Sequence, residues 1–84
     1  MKAKFEIKFT PRFLKDIKAL DREVQIRILR EINCLKIDPY VGKPLRGEWK
    51  GVYSLRVGDY RVLYQIKRSE VSLLVASHRK RVYE

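Results

Sequence analysis

The last third of the chain carries the pattern that most restricts the fold. Three strand-like runs, of which the first two alternate between two sets of side chains, follow one another at about 51–57, 60–67 and 70–77 with only two residues between them. Alternation is the period of a β-strand, and connections of two residues join antiparallel neighbours. Gly58-Asp59, between the first two runs, is an accepted sequence for a two-residue hairpin turn. The sequence therefore predicts an antiparallel meander of three strands.

The first half of the chain predicts one strand and two helices. Residues 3–9 alternate between apolar and charged side chains, as in a strand with one wet face. Thr10-Pro11 supplies a helix N-cap and a proline at the first helical position, so a helix is expected over about 11–20. Asp21 is expected to cap a second helix. Its apolar stripe consists of Val24, Ile28, Leu29, Ile32 and Leu35.

The segment DPYVGKPLRGEWKG, which begins with Asp38-Pro39, ends the second helix and carries two of the three prolines and three of the four glycines. It predicts a loop of about a dozen residues, which is either functional or a plain crossover. The 84 residues form one domain, 1–84, of the α+β class. We expect an N-terminal strand, a two-helix hairpin, and a three-stranded antiparallel meander that completes one sheet.

The hairpin register decides which side chains share a face of this sheet. A two-residue turn pairs 57 with 60, 56 with 61, 55 with 62 and 53 with 64. The face suited to covering the helices then carries Tyr53, Leu55, Val57, Tyr60, Val62 and Tyr64. In the last strand this face continues through Val71, Leu73 and Val75, and the opposite face through Leu74, Ala76 and His78.

Two arginines, Arg56 and Arg61, stand directly opposite each other on the face turned away from the helices. Like charges across an antiparallel pair cost on the order of several tenths of a kcal/mol. Three explanations are open at this point. The side chains splay apart into water, they pair with Asp59 or Glu48, or they bind an anionic ligand.

The overall charge favours a polyanionic partner. Twenty Lys and Arg against ten Asp and Glu give a formal net charge of +10 and an isoelectric point near 10.1. One cysteine and one histidine make an internal disulfide impossible and a zinc site improbable, so no metal and no cofactor are expected. No long apolar run or signal-peptide pattern occurs, and we therefore expect a cytoplasmic protein that does not bind a membrane.

Further basic and aromatic residues are expected to surround the opposed arginines. Ala76, as the predicted neighbour of Arg61, would leave a shallow hollow beside the guanidinium. The long loop and the C-terminal HRKRVYE contribute Lys43, Arg46, Trp49, Lys50, His78, Arg79, Lys80, Arg81 and Tyr83. Arginine forks match phosphate oxygens and aromatic rings stack on unpaired bases, so this set suits single-stranded RNA. Two blander readings stay open: Trp49 anchors the loop, and HRKRVYE is a frayed tail.

The same residues could support RNA cleavage without a metal ion. Attack of a ribose 2′-hydroxyl on the neighbouring phosphate needs a base, an acid and fixed positive charge. Arg61 and Arg79 can supply the charge. Histidine exchanges protons near neutral pH, which makes His78 a candidate, whereas Tyr83 would need cationic surroundings.

In the order strand, helix hairpin, a loop containing PLRG, LRVGDYRVLYQI and a closing HRKRVY, nearly the whole chain resembles the RelE/ParE superfamily of toxins from toxin-antitoxin pairs. The resemblance implies a ribosome-dependent endoribonuclease that cuts mRNA in the ribosomal A site. It also implies a cognate antitoxin, RelB-like and acidic or partly disordered, that holds the toxin inactive. An acidic segment would neutralise the positive charge of this chain.

The resemblance assigns roles to three residues. Arg61 would stabilise the phosphate, Arg79 would stabilise the transition state, and Tyr83 would transfer a proton or stack on the base. Some RelE-like branches use a histidine near the C-terminus, which makes His78 a candidate acid or base. The best-known RelE toxins have two lysines on the strand before the turn. Here Val52 and Ser54 occupy those positions, and Arg46, Lys50 or Arg56 would have to compensate.

Two alternatives to a ribosomal nuclease follow from the same sequence. The ParE branch shares the fold, poisons DNA gyrase and lacks the ribonuclease residues, whereas Arg79 and Tyr83 favour the RelE branch. A non-catalytic RNA-binding remnant is the other alternative, and the missing strand lysines favour it.

Overall fold

A five-stranded sheet with two helices on one face forms the fold, and the computed structural model describes residues 4–80. The strand order is β1-β5-β4-β3-β2, with β1 parallel to β5 and the remaining neighbours antiparallel. The predicted α+β class is confirmed. The elements are β1 (Glu6–Phe9), α1 (Pro11–Lys18), α2 (Arg22–Asn33), β2 (Lys43–Pro44), β3 (Val52–Val57), β4 (Tyr60–Lys67) and β5 (Glu70–His78).

The two helices begin where the sequence predicts, but only one has a side-chain capping hydrogen bond. The hydroxyl of Thr10 accepts a hydrogen bond from the Phe13 N–H at 3.2 Å, which starts α1. Asp21 occupies the predicted N-cap position of α2, but its side chain makes no capping hydrogen bond. Instead, the Gln25 side-chain amide donates to the carbonyls at the end of α1, those of Ile17 and Leu20, at 2.8 and 3.0 Å. Among the described residues, neither helix is long and apolar enough to cross a membrane.

The segment between α2 and β3 is more ordered than the predicted loop. It contains short 3-10 turns and the two-residue strand β2, which pairs with β3. Tyr64, fully buried on β4, anchors it: its hydroxyl donates to the Pro39 carbonyl at 2.6 Å and accepts from the Gly42 N–H at 3.1 Å. Burial raises the pKa of Tyr64 to about 12, against the lowering effect of the Gly42 hydrogen bond. A Cβ at Gly42 would overlap the Tyr64 hydroxyl, which requires glycine there.

The main core lies between the helices and the sheet, on what we call the inner face of the sheet. Phe13 of α1, Ile28 of α2 and Val62 of β4 are fully buried there. The hairpin register is as predicted, from Val57 opposite Tyr60 to Tyr53 opposite Tyr64. The six side chains predicted to cover the helices all belong to this core.

A bulge in β5 corrects the predicted faces of the last strand. Up to Leu73, which pairs with Tyr64, the register follows from a two-residue turn after Lys67. Leu74 then has no partner, and the next pair joins Leu63 to Val75. This one-residue shift exchanges the two faces of everything that follows. The predictions for Val75, Ala76 and His78 were therefore wrong: Ala76 and His78 lie on the inner face, whereas Val75 lies on the opposite, outer face together with Leu74.

Two side chains from the start of the chain hold the bulged segment. The Thr10 hydroxyl donates to the Leu73 carbonyl at 2.7 Å, and the Ala76 N–H donates to a carboxylate oxygen of Asp16 at 3.0 Å. Asp16 is also paired with Arg12 one helical turn earlier, at 3.0 Å. Helix α1 therefore supplies hydrogen-bond partners that β5 lacks beyond the end of β1.

Candidate nucleic-acid interface

Three arginines meet at the hairpin tip formed by Gly58 and Asp59. Arg56 and Arg61 are opposite each other on the outer face, as predicted, and the next residue across from Arg61 is Ser77 instead of Ala76. The Arg79 N–H donates to the Asp59 carbonyl at 2.8 Å, which fixes the end of β5 against the tip. We call Arg56, Arg61 and Arg79 the arginine cluster.

No carboxylate within residues 4–80 forms an ion pair with this cluster. The ion pairs in that part of the chain are Lys8–Glu6 and Arg12–Asp16, so the predicted alternative of pairing with Asp59 or Glu48 is not realised. Arg56 is exposed, and its Nε donates to the Gly58 carbonyl over a long 3.4 Å. Arg61 is half-buried, and its Nε is buried without a hydrogen-bond partner among the described residues. A buried donor without a partner is costly, so this arrangement of Arg61 lowers the stability of the fold.

A small apolar cluster covers the part of the outer face beside the arginines. Val52 and Leu63 are its buried centre, and Leu45 and Trp49 of the loop pack on them together with Leu74 and Val75. Trp49 therefore anchors the loop. The sequence predicts that the outer face is exposed to water, but this half of it is covered. Ser54 is only 5% exposed, and its hydroxyl has no partner among residues 4–80. Val52 and Ser54, the positions that the resemblance aligns with two lysines of the best-known RelE toxins, are thus buried.

The loop cations form a separate basic surface. Lys43, Arg46 and Lys50 are exposed and line an open concavity of about 790 Å³. Lys43 pairs with Ser54, which in turn pairs with Leu63, so all three residues lie on the outer face. Lys80 is exposed just beyond β5. The predicted contributions of Arg81 and Tyr83 lie outside the described residues.

His78 lies on the inner face, with the sheet between its side chain and that of Arg61. It is opposite Tyr60, and the two rings meet edge to face with centroids 5.5 Å apart. The Lys80 N–H donates to His78 Nδ1 at 3.3 Å. An accepting Nδ1 places the proton of the neutral ring on Nε2.

One basic residue at the tip was missed by the sequence reasoning. Arg27 of α2 is exposed, and its Nη1 atom lies 3.1 Å from the position that a Cβ on Gly58 would occupy. Its place in the sequence, among other charged residues of an amphipathic helix, gave no sign of this contact. The positive φ of Gly58, 62°, is the local reason that glycine suits the turn.

A second, mainly apolar groove runs between β1 and α2 on the other side of the molecule. It has a volume of about 610 Å³, and β1 forms an edge of the sheet. The Glu6 and Thr10 N–H groups bond toward β5, so the backbone groups of Ile7 and Phe9 face the open edge. The remaining lining residues are Lys4, Phe5, Leu29, Ile32, Asn33 and Lys36.

The chain is similar to known toxins over nearly its full length. Residues 7–83 match a family model described as the ParE toxin of the type II toxin-antitoxin system, parDE. Toxin RelG of Mycobacterium tuberculosis is 32% identical over 83 residues, covering 94% of this chain and 95% of its own. Toxin YoeB of Mycobacterium bovis is 37% identical over 65 residues, covering 71% and 76%.

Two solved structures have the same fold. A chain of the toxin-antitoxin complex RelBE2 from Mycobacterium tuberculosis superimposes with a TM-score of 0.84 at 32% identity, covering 90% of this chain and 99% of its own. A chain of the archaeal RelE–RelB complex from Pyrococcus horikoshii gives a TM-score of 0.79 at 24% identity, covering 94% and 99%. The second likeness concerns the fold alone.

Proposed function

The chain belongs to the ParE toxin family of type II toxin-antitoxin systems, and from this premise we propose that it is a RelE-type endoribonuclease that cleaves mRNA on the ribosome. The relatives named RelG and YoeB and the RelE-like fold support the RelE side of the superfamily. The arginine cluster is the observation on which the proposal depends.

The cluster has the charge and chemistry that a phosphodiester requires. Arg56 and Arg61 share a face without a carboxylate partner in residues 4–80, and Arg79 is held at the same tip. Guanidinium groups bind phosphate oxygens through paired N–H donors and stay charged at any physiological pH. An RNA phosphate bound here would also offset the repulsion between the two opposed side chains.

In the proposed reaction the ribose 2′-oxygen attacks the adjacent phosphorus, and the bond from phosphorus to the 5′-oxygen of the next nucleotide breaks. The products are a 2′,3′-cyclic phosphate and a free 5′-hydroxyl. A base takes the proton of the 2′-hydroxyl, and an acid donates one to the departing oxygen. Arg61 and Arg79 contact the non-bridging oxygens, where negative charge develops in the transition state.

The proton carriers come from His78 and Tyr83 in this proposal. Because His78 and Arg61 lie on opposite faces, His78 can act on RNA held at Arg61 only where the strand bends round the end of the sheet. Tyr83 is the other carrier implied by the family resemblance. The loop cations Arg46 and Lys50, with Arg56, would contribute the charge that lysines supply in RelE toxins.

A non-catalytic RNA-binding protein is the second candidate, and one observation favours it. Val52 and Ser54 are 7% and 5% exposed, so neither position offers a polar group to a substrate. Such a protein would bind RNA with a steep dependence on salt and leave the RNA intact.

The antitoxin is proposed to dock in the groove between β1 and α2. Exposed Phe9 and Leu29 give the groove apolar character, and Lys4 and Lys36 line it. The open edge of β1 can pair with an added strand. An acidic segment with apolar residues at alternate positions matches both features.

Mapping of mRNA ends tests the proposed activity. The protein, added to ribosomes translating a defined mRNA, is expected to produce cuts at codons in the A site and none in free mRNA. Binding without cutting would favour the non-catalytic candidate. Loss of DNA supercoiling by gyrase with intact mRNA would instead show a ParE-type target.

A further inference from the structure

We propose that Arg27, with Tyr60 and His78, forms a second RNA-contact site on the inner side of the hairpin tip, which binds the phosphodiester backbone and a neighbouring base of the strand held by the arginine cluster. This inference rests on the proposed function, because it takes RNA to be the ligand. It adds a residue of α2 to a surface otherwise built from the sheet and the loop.

Gly58 has a guanidinium group on each side. On the outer side the Arg56 Nε donates to its carbonyl at 3.4 Å. On the helix side Arg27 lies against Gly58: a Cβ on Gly58 would be 3.1 Å from Nη1 and 3.5 Å from Cζ of Arg27. The two positive charges are therefore separated only by the backbone of a two-residue turn, and one RNA strand passing over the tip can contact both.

Arg27 has no competing partner within residues 4–80. It belongs to neither ion pair in that part of the chain, and no hydrogen bond there involves its guanidinium. The side chain is exposed on α2, yet it lies against the turn. A free guanidinium beside the backbone of a turn is suited to bidentate contact with phosphate.

Tyr60 and His78 supply the aromatic part of the site. Tyr60 directly follows the Gly58-Asp59 turn. It pairs with Val57 of β3 across the hairpin and with His78 of β5 on its other neighbouring strand. Both rings are half-buried, and their edge-to-face contact fixes them. With Nδ1 occupied by the Lys80 N–H, the neutral His78 ring presents Nε2–H as a donor. An aromatic pair beside an arginine is the usual composition of a site for an unstacked nucleotide.

The test measures binding of the full-length protein to ribosomes that carry a defined mRNA, at several salt concentrations. Arg27→Ala is expected to raise the Kd about 5- to 10-fold and to reduce the slope of log K against log salt by about one. At sub-saturating protein the cleavage rate should fall in proportion to the lost affinity. Arg30→Ala, which removes an exposed arginine further along α2, is the matched control.

A second variant moves the Arg27 side chain without removing it. Gly58→Asn introduces a Cβ 3.1 Å from Nη1, so that the guanidinium must shift by a few tenths of an ångström, and asparagine tolerates the positive φ of this position. It should lower the affinity in the same direction as Arg27→Ala but by less, and the double variant should be no weaker than Arg27→Ala alone.

The inference is overturned when wild-type protein binds and cuts but Arg27→Ala matches Arg30→Ala. It is also overturned when Arg27→Ala lowers only the affinity for an acidic antitoxin peptide, since the surface would then be a protein contact. Wild-type protein that neither binds nor cuts would remove the proposed function as well, which separates the two failures.

Discussion

Arg61 and His78 lie on opposite faces of one sheet, although uninterrupted alternation from the β4–β5 turn would bring them to the same face. The unpaired Leu74 is the cause, because it shifts the register between Leu63 and Tyr64 by one residue. The bulge thus sends Ser77 to the outer face beside Arg61 and joins His78 to Tyr60 on the inner face. Basic and aromatic groups are thereby distributed on both sides of the hairpin tip.

Replacement of Arg61 is expected to impair catalysis far more than folding. Arg61→Ala should lower the single-turnover rate of mRNA cleavage on the ribosome about 10²- to 10³-fold, because charge on the transition state loses its partner. Arg61→Lys keeps the positive charge but loses the paired N–H donors of the guanidinium, so its cleavage rate should lie between those of wild type and Arg61→Ala. Thermal unfolding should show a stable fold, since the buried Nε is unpartnered within residues 4–80. An unaltered rate for Arg61→Ala would exclude this residue from the mechanism.

Asp16 is expected to matter through the bulge more than through its ion pair. Asp16→Ala should cost about 1–3 kcal/mol in the free energy of unfolding, because the Ala76 N–H loses its acceptor. Arg12→Ala removes only the exposed pair and should cost a few tenths, about 0.5 kcal/mol or less. Asp16→Asn keeps an acceptor and should lie between them. Equal losses for the Arg12 and Asp16 variants would show that the hydrogen bond to β5 contributes nothing.

The Tyr64 hydroxyl makes stability depend on pH in the alkaline range. Its pKa is raised to about 12 in the folded chain from 10.0, so the folded state holds the proton more tightly. The resulting stability is complete below pH 10 and is lost as the pH rises toward 12, by about 2 kcal/mol. Tyr64→Phe removes this contribution, so the difference in unfolding free energy between wild type and variant should shrink over that interval. A constant difference between pH 9 and 12 would contradict the assignment.

Removal of the Ser54 hydroxyl is expected not to destabilise the protein. The hydroxyl is buried and has no partner among residues 4–80, so Ser54→Ala should leave the unfolding free energy unchanged or raise it by about 1 kcal/mol. Ser72→Ala serves as the comparison, because Ser72 of β5 lies on the same outer face of the sheet as Ser54 but is only half-buried. Denaturant unfolding provides the measurement. A loss above about 1 kcal/mol would mean that Ser54 has a stabilising partner.

A charge in the groove between β1 and α2 is expected to separate antitoxin binding from RNA cleavage. Leu29→Glu should weaken the complex with an acidic antitoxin at least about 10-fold, through lost apolar contact and charge repulsion. Cleavage by the free toxin should be unaffected. Leu14→Glu changes a leucine of similar exposure on α1 that does not line the groove, and it should leave the complex intact. Calorimetric titration measures the affinity of each variant for the antitoxin. Equal affinities of the two variants would contradict this assignment.

The local parts of this fold could be predicted because local chemistry fixes them. Gly58-Asp59 sets the hairpin register by itself, and Thr10-Pro11 starts α1. These signals placed Arg56 opposite Arg61, and the resemblance to the RelE/ParE superfamily is confirmed by the family match.

The errors came from contacts that join distant parts of the chain. The run Leu73-Leu74-Val75 is apolar throughout and does not reveal which residue is left over in a bulge. The partners that hold the bulge, Thr10 and Asp16, are some 60 residues away in sequence. The contact of Arg27 with Gly58 is equally non-local, because it depends on how α2 crosses the sheet.

The parallel pairing of β1 with β5 also determines the stage of folding at which the sheet can be completed. Strand β5 lies between the first strand and β4, so the sheet cannot close until synthesis has passed residue 78. Contacts that span this much of the chain form late and slowly. The Arg79 N–H therefore reaches the Asp59 carbonyl only after β5 has paired with β4, whereas Arg56 and Arg61 already meet within a single hairpin.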